Sequence, residues 1–180
     1  MQFLFRHSLV EDYPFYQVCF DCEVYYSYLH GEQRIRDFKL YLERGGVESF
    51  KFVFFRNTDL GIIPLGFCHF YPSDTEKEYE IGGGITPSLF NAGYGVYSYA
   101  QILAYIFTCR SDIRFRVGVL KTNQRSLKIH FAFGFQLIGE FDRRLQLTLT
   151  RAAFDNEFVR CLLLRSSLEY RYPLQSLTIN

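Results

Sequence analysis

The sequence predicts an α/β fold in which a mixed sheet carries helices on both faces. Two observations predict it. Stretches of period-two and period-three-to-four hydrophobicity interleave along the chain, yet three strand-like stretches follow one another in the middle without a helix between them. The 180 residues are 48% hydrophobic and 22% charged, which suits one packed domain of this length rather than a disordered chain.

Residues 2–7 alternate and read as a short strand. Residues 12–29 have helical spacing, with Phe15, Val18, Cys19, Cys22 and Tyr26 recurring at three and four. A second helix fits 32–43, ended by Gly45-Gly46. Strands over 49–56, 62–70 and 76–85 are separated by Asn57-Thr58-Asp59 and Pro72-Ser73-Asp74, both turn-forming. A glycine-containing loop over 86–95 leads into an uncharged helix ending near Cys109. Residues 113–120 form a strand and 122–133 a helix closed by Gly134. Residues 135–141 and 145–151 pair around Asp142-Arg143, and 155–168 make an extra C-terminal helix with Asp155 as its cap. The organisation is one domain over 1–180: helices over 1–48, a core over 49–151, and a helix with tail over 152–180.

Twenty Lys+Arg against nineteen Asp+Glu give a net charge of +1, too balanced for holding nucleic acid by bulk charge. Five cysteines, an odd and sparse set, do not make a disulfide framework. Arg6, His7, Glu11 and Asp12 interrupt the early apolar run, so no secretory signal is read. The stretch 81–109 has no charge, but its five glycines, one proline and four tyrosines do not supply the roughly 20 apolar residues of a bilayer helix. The expectation is a cytoplasmic protein without membrane or nucleic-acid partners. Cys19-Phe20-Asp21-Cys22 lacks a second pair at zinc spacing and fits a buried helix stripe, so no metal is expected.

Phe90-Asn91-Ala92-Gly93-Tyr94-Gly95 lies between a strand and a helix. Backbone N–H groups at a helix start are unpaired and carry the positive end of the helix dipole, so they suit an anion such as phosphate. No Asp or Glu lies between Ile81 and Ser111 to repel one. A plain capping turn has the same residues.

The context adds to this loop. Before it stands Glu80-Ile81-Gly82-Gly83-Gly84-Ile85-Thr86-Pro87; after it come Asn123-Gln124-Arg125-Ser126 and Gly134-Phe135. This layout resembles the GNAT superfamily of acyl-CoA N-acyltransferases. There a strand ends in an apolar-x-Pro step, followed by an Arg/Gln-x-x-Gly-x-Gly/Ala pyrophosphate loop, Asn-x-x-Ser, a later Tyr and a closing Gly-Phe. The resemblance covers about 49–141. It implies a mostly antiparallel GNAT-like sheet and acetyl-CoA as co-substrate, bound by Ile85, Phe90, Asn91, Ala92, Gly93, Tyr94, Gly95, Asn123 and Ser126. Two positions depart from the family: Phe90 replaces the loop's Arg/Gln, and His130 stands in place of the tyrosine that reprotonates the leaving thiolate.

Glu76, Glu78 and Glu80 alternate on one strand face, and Gly82 and Gly84 continue it without side chains, leaving room for a thin pantetheine arm. Glu80 is the candidate general base; a solubilising row of glutamates is the rival account. The backbone N–H near Ile85 would polarise the thioester, a bulge at the glycines freeing it. His130 is the candidate acid, its ordinary pKa near 6.5, though a lone helix histidine also serves as packing. Tyr94 and Tyr97 are reserve hydroxyls. The expected function is transfer of acetyl from acetyl-CoA to a primary amine, with a homodimer among the partners considered. The alternative is a non-catalytic acyl-CoA-binding or interaction module of the same fold.

Overall fold

The structure is a computed structural model that describes residues 2–20, 50–58, 61–73, 75, 77–90 and 92–170. Its strands are β1 (Gln2–His7), β2 (Phe50–Thr58), β3 (Gly61–Pro72), β4 (Glu78–Ile85), β5 (Arg114–Leu120), β6 (Gln136–Phe141), β7 (Arg144–Thr150) and β8 (Ser167–Tyr170). Its helices are α1 (Tyr13–Phe20), α2 (Tyr94–Cys109), α3 (Gln124–Ala132), α4 (Arg151–Phe154) and α5 (Glu157–Leu164). The strands make a sheet of order β6-β7-β5-β4-β3-β2-β1-β8. Its pairings are antiparallel except β4–β5 and β1–β8.

Side-chain alternation sorts the sheet into two packed faces. On one, Phe3, Phe5, Phe52, Phe54, Phe70, Ile81, Phe115 and Leu149 meet Ala100, Ile102, Leu103 and Phe107 of α2, Phe133 beyond α3, and Val159 of α5. On the other, Val53 and Phe67 meet Tyr16 and Cys19 of α1. Rings dominate: Phe107 packs edge-on against Phe115, their centroids 4.9 Å apart, and Phe5 against Phe52 at 5.3 Å. Full burial of each such ring is worth about 2 kcal/mol over leaving it in water.

The fold class, with helices on both faces and a C-terminal helix, agrees with the sequence reading. Three local details differ. In α1 the buried pair is Tyr16 and Cys19, while Val18 is 60% exposed; the Tyr16 hydroxyl is 2.6 Å from Ser8 Oγ, which turns that face inward. The C-terminal helix breaks into α4 and α5 and ends at Leu164, after which Ser167–Tyr170 joins β1 as a parallel edge strand. Its cap is Asn156, whose Oδ1 accepts from the Val159 N–H at 3.0 Å, whereas Asp155 pairs with Arg160 at 2.8 Å. The expected helix over 32–43, the end of the one over 12–29, Glu76 and Asn91 lie outside the described residues.

Gly134 closes α3 with φ +92°, and a Cβ there would lie 2.1 Å from the Ala153 carbonyl oxygen. Left-handed strain and backbone overlap then act together. Gly134→Ala is expected to lower the unfolding free energy by about 2 kcal/mol or more, read as a lower urea midpoint with unchanged m-value.

Candidate active site

Strands β4 and β5 pair over three rungs only, Glu78–Arg114, Tyr79–Phe115 and Glu80–Arg116. Beyond Glu80 each strand stays with its other neighbour. β4 remains on β3 through Ile85, and β5 remains on β7 through Leu120. The parallel pair therefore opens into a V with Glu80 at its vertex.

The β3–β4 ladder runs from Pro72–Tyr79 to Gly66–Ile85 without a register shift, and Thr86 N–H donates to Leu65 C=O at 2.8 Å. Antiparallel alternation then turns the N–H groups of Gly83 and Ile85 away from β3, towards the opening. The β3–β4 ladder has no bulge at the glycines, contrary to the expectation, and it is β5 that leaves β4 after Glu80. The register shift in this half of the sheet lies between β2 and β3, where Phe54 and Phe55 face Gly66 and Pro64 and Leu65 of β3 is the extra residue. A Cβ on Gly82 would meet nothing within 4 Å, so that side of β4 is open.

The start of α2 stands at the mouth of the V, and two glycines put it there for different reasons. Gly93 caps the helix at φ +80°, a left-handed conformation that side chains resist. Gly95 lies so close to β4 that a Cβ would be 2.6 Å from Ile85 Cγ1. The loop before them is tied down by its own turns, Phe90 N–H to Pro87 C=O at 3.2 Å and Ala92 N–H to Leu89 C=O at 3.2 Å. The N–H groups of Gly93, Tyr94 and Gly95 find no partner among the described residues, and no side chain caps the helix. Its first turn holds no acidic residue. Amides without a partner among the described residues, at the positive end of a helix, suit an anionic group.

Two side chains of β4 share the face opposite α2. Glu78 is tied down, 3.4 Å from Arg116 and accepting from Ser73 Oγ at 3.2 Å. Glu80 is exposed and pairs with no cation among the described residues. At the start of α3, Asn123 Oδ1 accepts from Ser126 N–H at 3.1 Å, so its carbonyl end caps the helix. His130 lies on the α2 side of the sheet, buried between Tyr99 and Phe135. Its Nδ1–H donates to Ser126 C=O at 2.7 Å, and Ser126 Oγ lies 3.2 Å from the same nitrogen. Its Nε2 faces the Tyr99 hydroxyl at 3.4 Å. Burial pushes the Tyr99 phenol well above its usual range, so the hydroxyl keeps its proton and donates. The structure thus brings Ile85, Phe90, Gly93, Tyr94 and Gly95 to one end of the opening, Glu80 to its vertex and His130 to the opposite face from Glu80. Sequence reasoning missed Tyr99, one tyrosine among fourteen with nothing to mark it.

A sheet split between two parallel strands, with a helix N-terminus set at the split, defines an acyltransferase-type architecture. The chain belongs to the GNAT acetyltransferase family: the model described as "Acetyltransferase (GNAT) domain" matches residues 3–136. Solved structures agree in fold. A chimera of the spermidine N-acetyltransferase SpeG from Vibrio cholerae with hSSAT superposes at a TM-score of 0.69 and 14% identity, covering 87% of this chain and 100% of that one. The aminoglycoside acetyltransferase AAC(6')-Ib in complex with coenzyme A gives 0.70 at 14% identity, covering 85% and 97%. A domain from Methanocaldococcus jannaschii gives 0.70 at 15%, covering 82% and 97%. Comparison with curated protein sequences finds no match. Among the described residues no helix is long and apolar enough to cross a membrane, and no group of three or more His, Cys, Asp or Glu could hold a metal ion.

Burial lowers the His130 pKa below its ordinary 6.5, with the Ser126 backbone contact partly opposing. The unfolded chain therefore binds this proton more readily than the native one. Stability is expected to fall as pH drops from 6.5 towards the lowered native value, below which both states are charged and the slope vanishes. Urea midpoints measured between about pH 5 and 7.5 should show a flatter profile for His130→Phe than for the parent.

Proposed function

We propose that this chain is an N-acetyltransferase that moves an acetyl group from acetyl-CoA to a primary amine by direct attack. The observation that carries the reading is the open β4–β5 V, with uncapped amides at its mouth and an exposed carboxylate at its vertex. The amides of Gly93, Tyr94 and Gly95, with Asn91 and Ala92 beside them, receive the pyrophosphate. The pantetheine arm runs along β4 as a surrogate strand, its amides answering the outward N–H and C=O groups of Gly83 and Ile85, with Asn123 and Ser126 on the far side. An N–H at this edge polarises the thioester carbonyl.

Glu80 takes the proton of the attacking ammonium or of the new amide nitrogen, directly or through water. The amine nitrogen bonds to the carbonyl carbon, the C–S bond breaks, and the thiolate leaves with the electron pair. His130 is the group assigned to returning a proton to sulfur and is recharged from solvent, while the Tyr99 hydroxyl keeps its own proton. Amine acceptors are in keeping with the neighbours, named for spermidine and for aminoglycosides, one of them solved with acetyl-CoA. A cytoplasmic setting and a homodimer remain part of the proposal.

One observation favours a second reading, an acyl-CoA-binding module without turnover. Both ring nitrogens of His130 already have protein partners, as a packing histidine would.

Calorimetric titration with acetyl-CoA, followed by thiol release across polyamines, aminoglycosides, amino acids and peptide N-termini, separates the two. Amine-dependent release is expected, falling about 10²- to 10⁴-fold in Glu80→Gln while the Kd for acetyl-CoA stays unchanged. Binding without release, unaltered by Glu80→Gln or His130→Phe, supports the module. Lack of binding at millimolar acetyl-CoA overturns both.

A further inference from the structure

The loop that meets the proposed pyrophosphate has no charge of its own, since the whole stretch 81–109 lacks Asp, Glu, Lys and Arg. A doubly charged group gripped only by neutral amides would still call for a cation nearby. The structure holds one at the loop from outside it. Arg125, in the first turn of α3, places its guanidinium carbon 5.9 Å from the centre of the Phe90 ring, within cation–π range.

Local energetics do not explain that placement. A cation in the first turn of a helix opposes the helix dipole, and this first turn has no acidic residue to offset it. Arg125 forms no ion pair among the described residues. Lys121, just before α3, pairs with Glu140; Arg116 pairs with Glu78, and Arg110 with Asp112. Arg56, the other guanidinium near the loop, donates to the Tyr94 hydroxyl and lies over that ring at 5.2 Å. Arg125 is the exposed cation whose described contact is the loop's own aromatic ring. The α2 and α3 N-termini follow the two strands that part at the V, and the guanidinium carried on α3 leans onto Phe90 of the loop that leads into α2.

We infer that Arg125 is the phosphate-binding cation of this site, oriented by Phe90 and gripping the pyrophosphate of the acyl donor. The inference rests on the acetyl-CoA reading above and deepens it: Phe90 is a platform for a guanidinium, and charge reaches the loop from the neighbouring helix.

The test is calorimetry with CoA and 3′-dephospho-CoA, together with KM for S-acetylpantetheine, which has no pyrophosphate. Arg125→Gln is expected to weaken CoA and dephospho-CoA equally, by about tenfold, and to leave the S-acetylpantetheine KM unchanged. Adding Phe90→Arg, which puts the cation on the loop itself, is expected to recover affinity to within about threefold of the parent. A Kd for Arg125→Gln within twofold of a tightly binding parent overturns this inference alone. A loss confined to CoA also overturns it, because the contact would then be to the 3′-phosphate. A parent that binds no CoA sinks the acetyl-CoA reading and this inference together. Thermal midpoints of the variants, expected to match the parent because Arg125 is exposed, exclude misfolding as the cause.

Discussion

Everything at the proposed site depends on one hydrogen-bonding limit: β4 and β5 share three rungs and then part. Each is held by a longer antiparallel ladder on its other edge, β4 to β3 and β5 to β7, and sheet twist carries the two halves away from each other. Unpaired strand edges are ordinarily a hazard, because their N–H and C=O groups invite any passing strand. Here the two edges part beside the start of α2, and in the proposed reading the pantetheine arm of the acyl donor lies along them. Gly95 makes that position of α2 possible. A methyl group in its place would overlap Ile85 and lift the helix start from the end of β4.

The opening is electrically quiet on its α2 side and charged on the other. α2 begins with no ionisable group, and burial keeps Tyr99 protonated and His130 neutral at pH 7. On the α1 side, Glu80 sits in solvent reach beside the Glu78–Arg116 pair. A neutral, preorganised wall costs no reorganisation when negative charge develops against it. In the proposed reaction that charge is the departing thiolate, and the nearest positive field is the amide end of α2. Glu80 removes a proton from the incoming nitrogen on the opposite face, so the two carboxylate and thiolate charges never share one pocket.

Sequence patterns that report local backbone demands were legible. The glycines of the loop and Gly134-Phe135 after α3 each answer a geometric need within a few residues, whereas the cap that Asn123 puts on Ser126 N–H was not among the roles its sequence suggested. Features decided by distant contacts were not. Asp155 and Asn156 are equally good caps on paper, and the Asp155–Arg160 pair and the Asn156–Val159 bond decide between them. Ser167–Tyr170 is too short to announce a strand, and it becomes one because β1 offers a parallel edge. Val18 and Tyr16 are both apolar enough for a buried stripe, and the Ser8 hydroxyl chooses Tyr16. At the site, the alternation of β4 marked Glu80 correctly as facing away from the core, but nothing in the sequence shows where β5 leaves it, and the vertex position follows from that.

Phe90 illustrates how a departure at one position can be absorbed by another. Read along the chain it is the loss of a charge from an anion-binding loop. In three dimensions the ring adds what a flexible arginine on the loop would lack, a fixed surface that restricts a guanidinium arriving from α3. In the proposed site the loop then carries geometry and the helix carries charge. Such division also makes the site depend on the spacing between α2 and α3. That spacing is set by the ring packing of Tyr99 on Phe133, 5.2 Å between centroids, and of Tyr99 on His130 at 5.7 Å. A histidine in that position therefore has a packing task besides the one proposed for it: against Tyr99 its ring helps to hold the two helices at their separation.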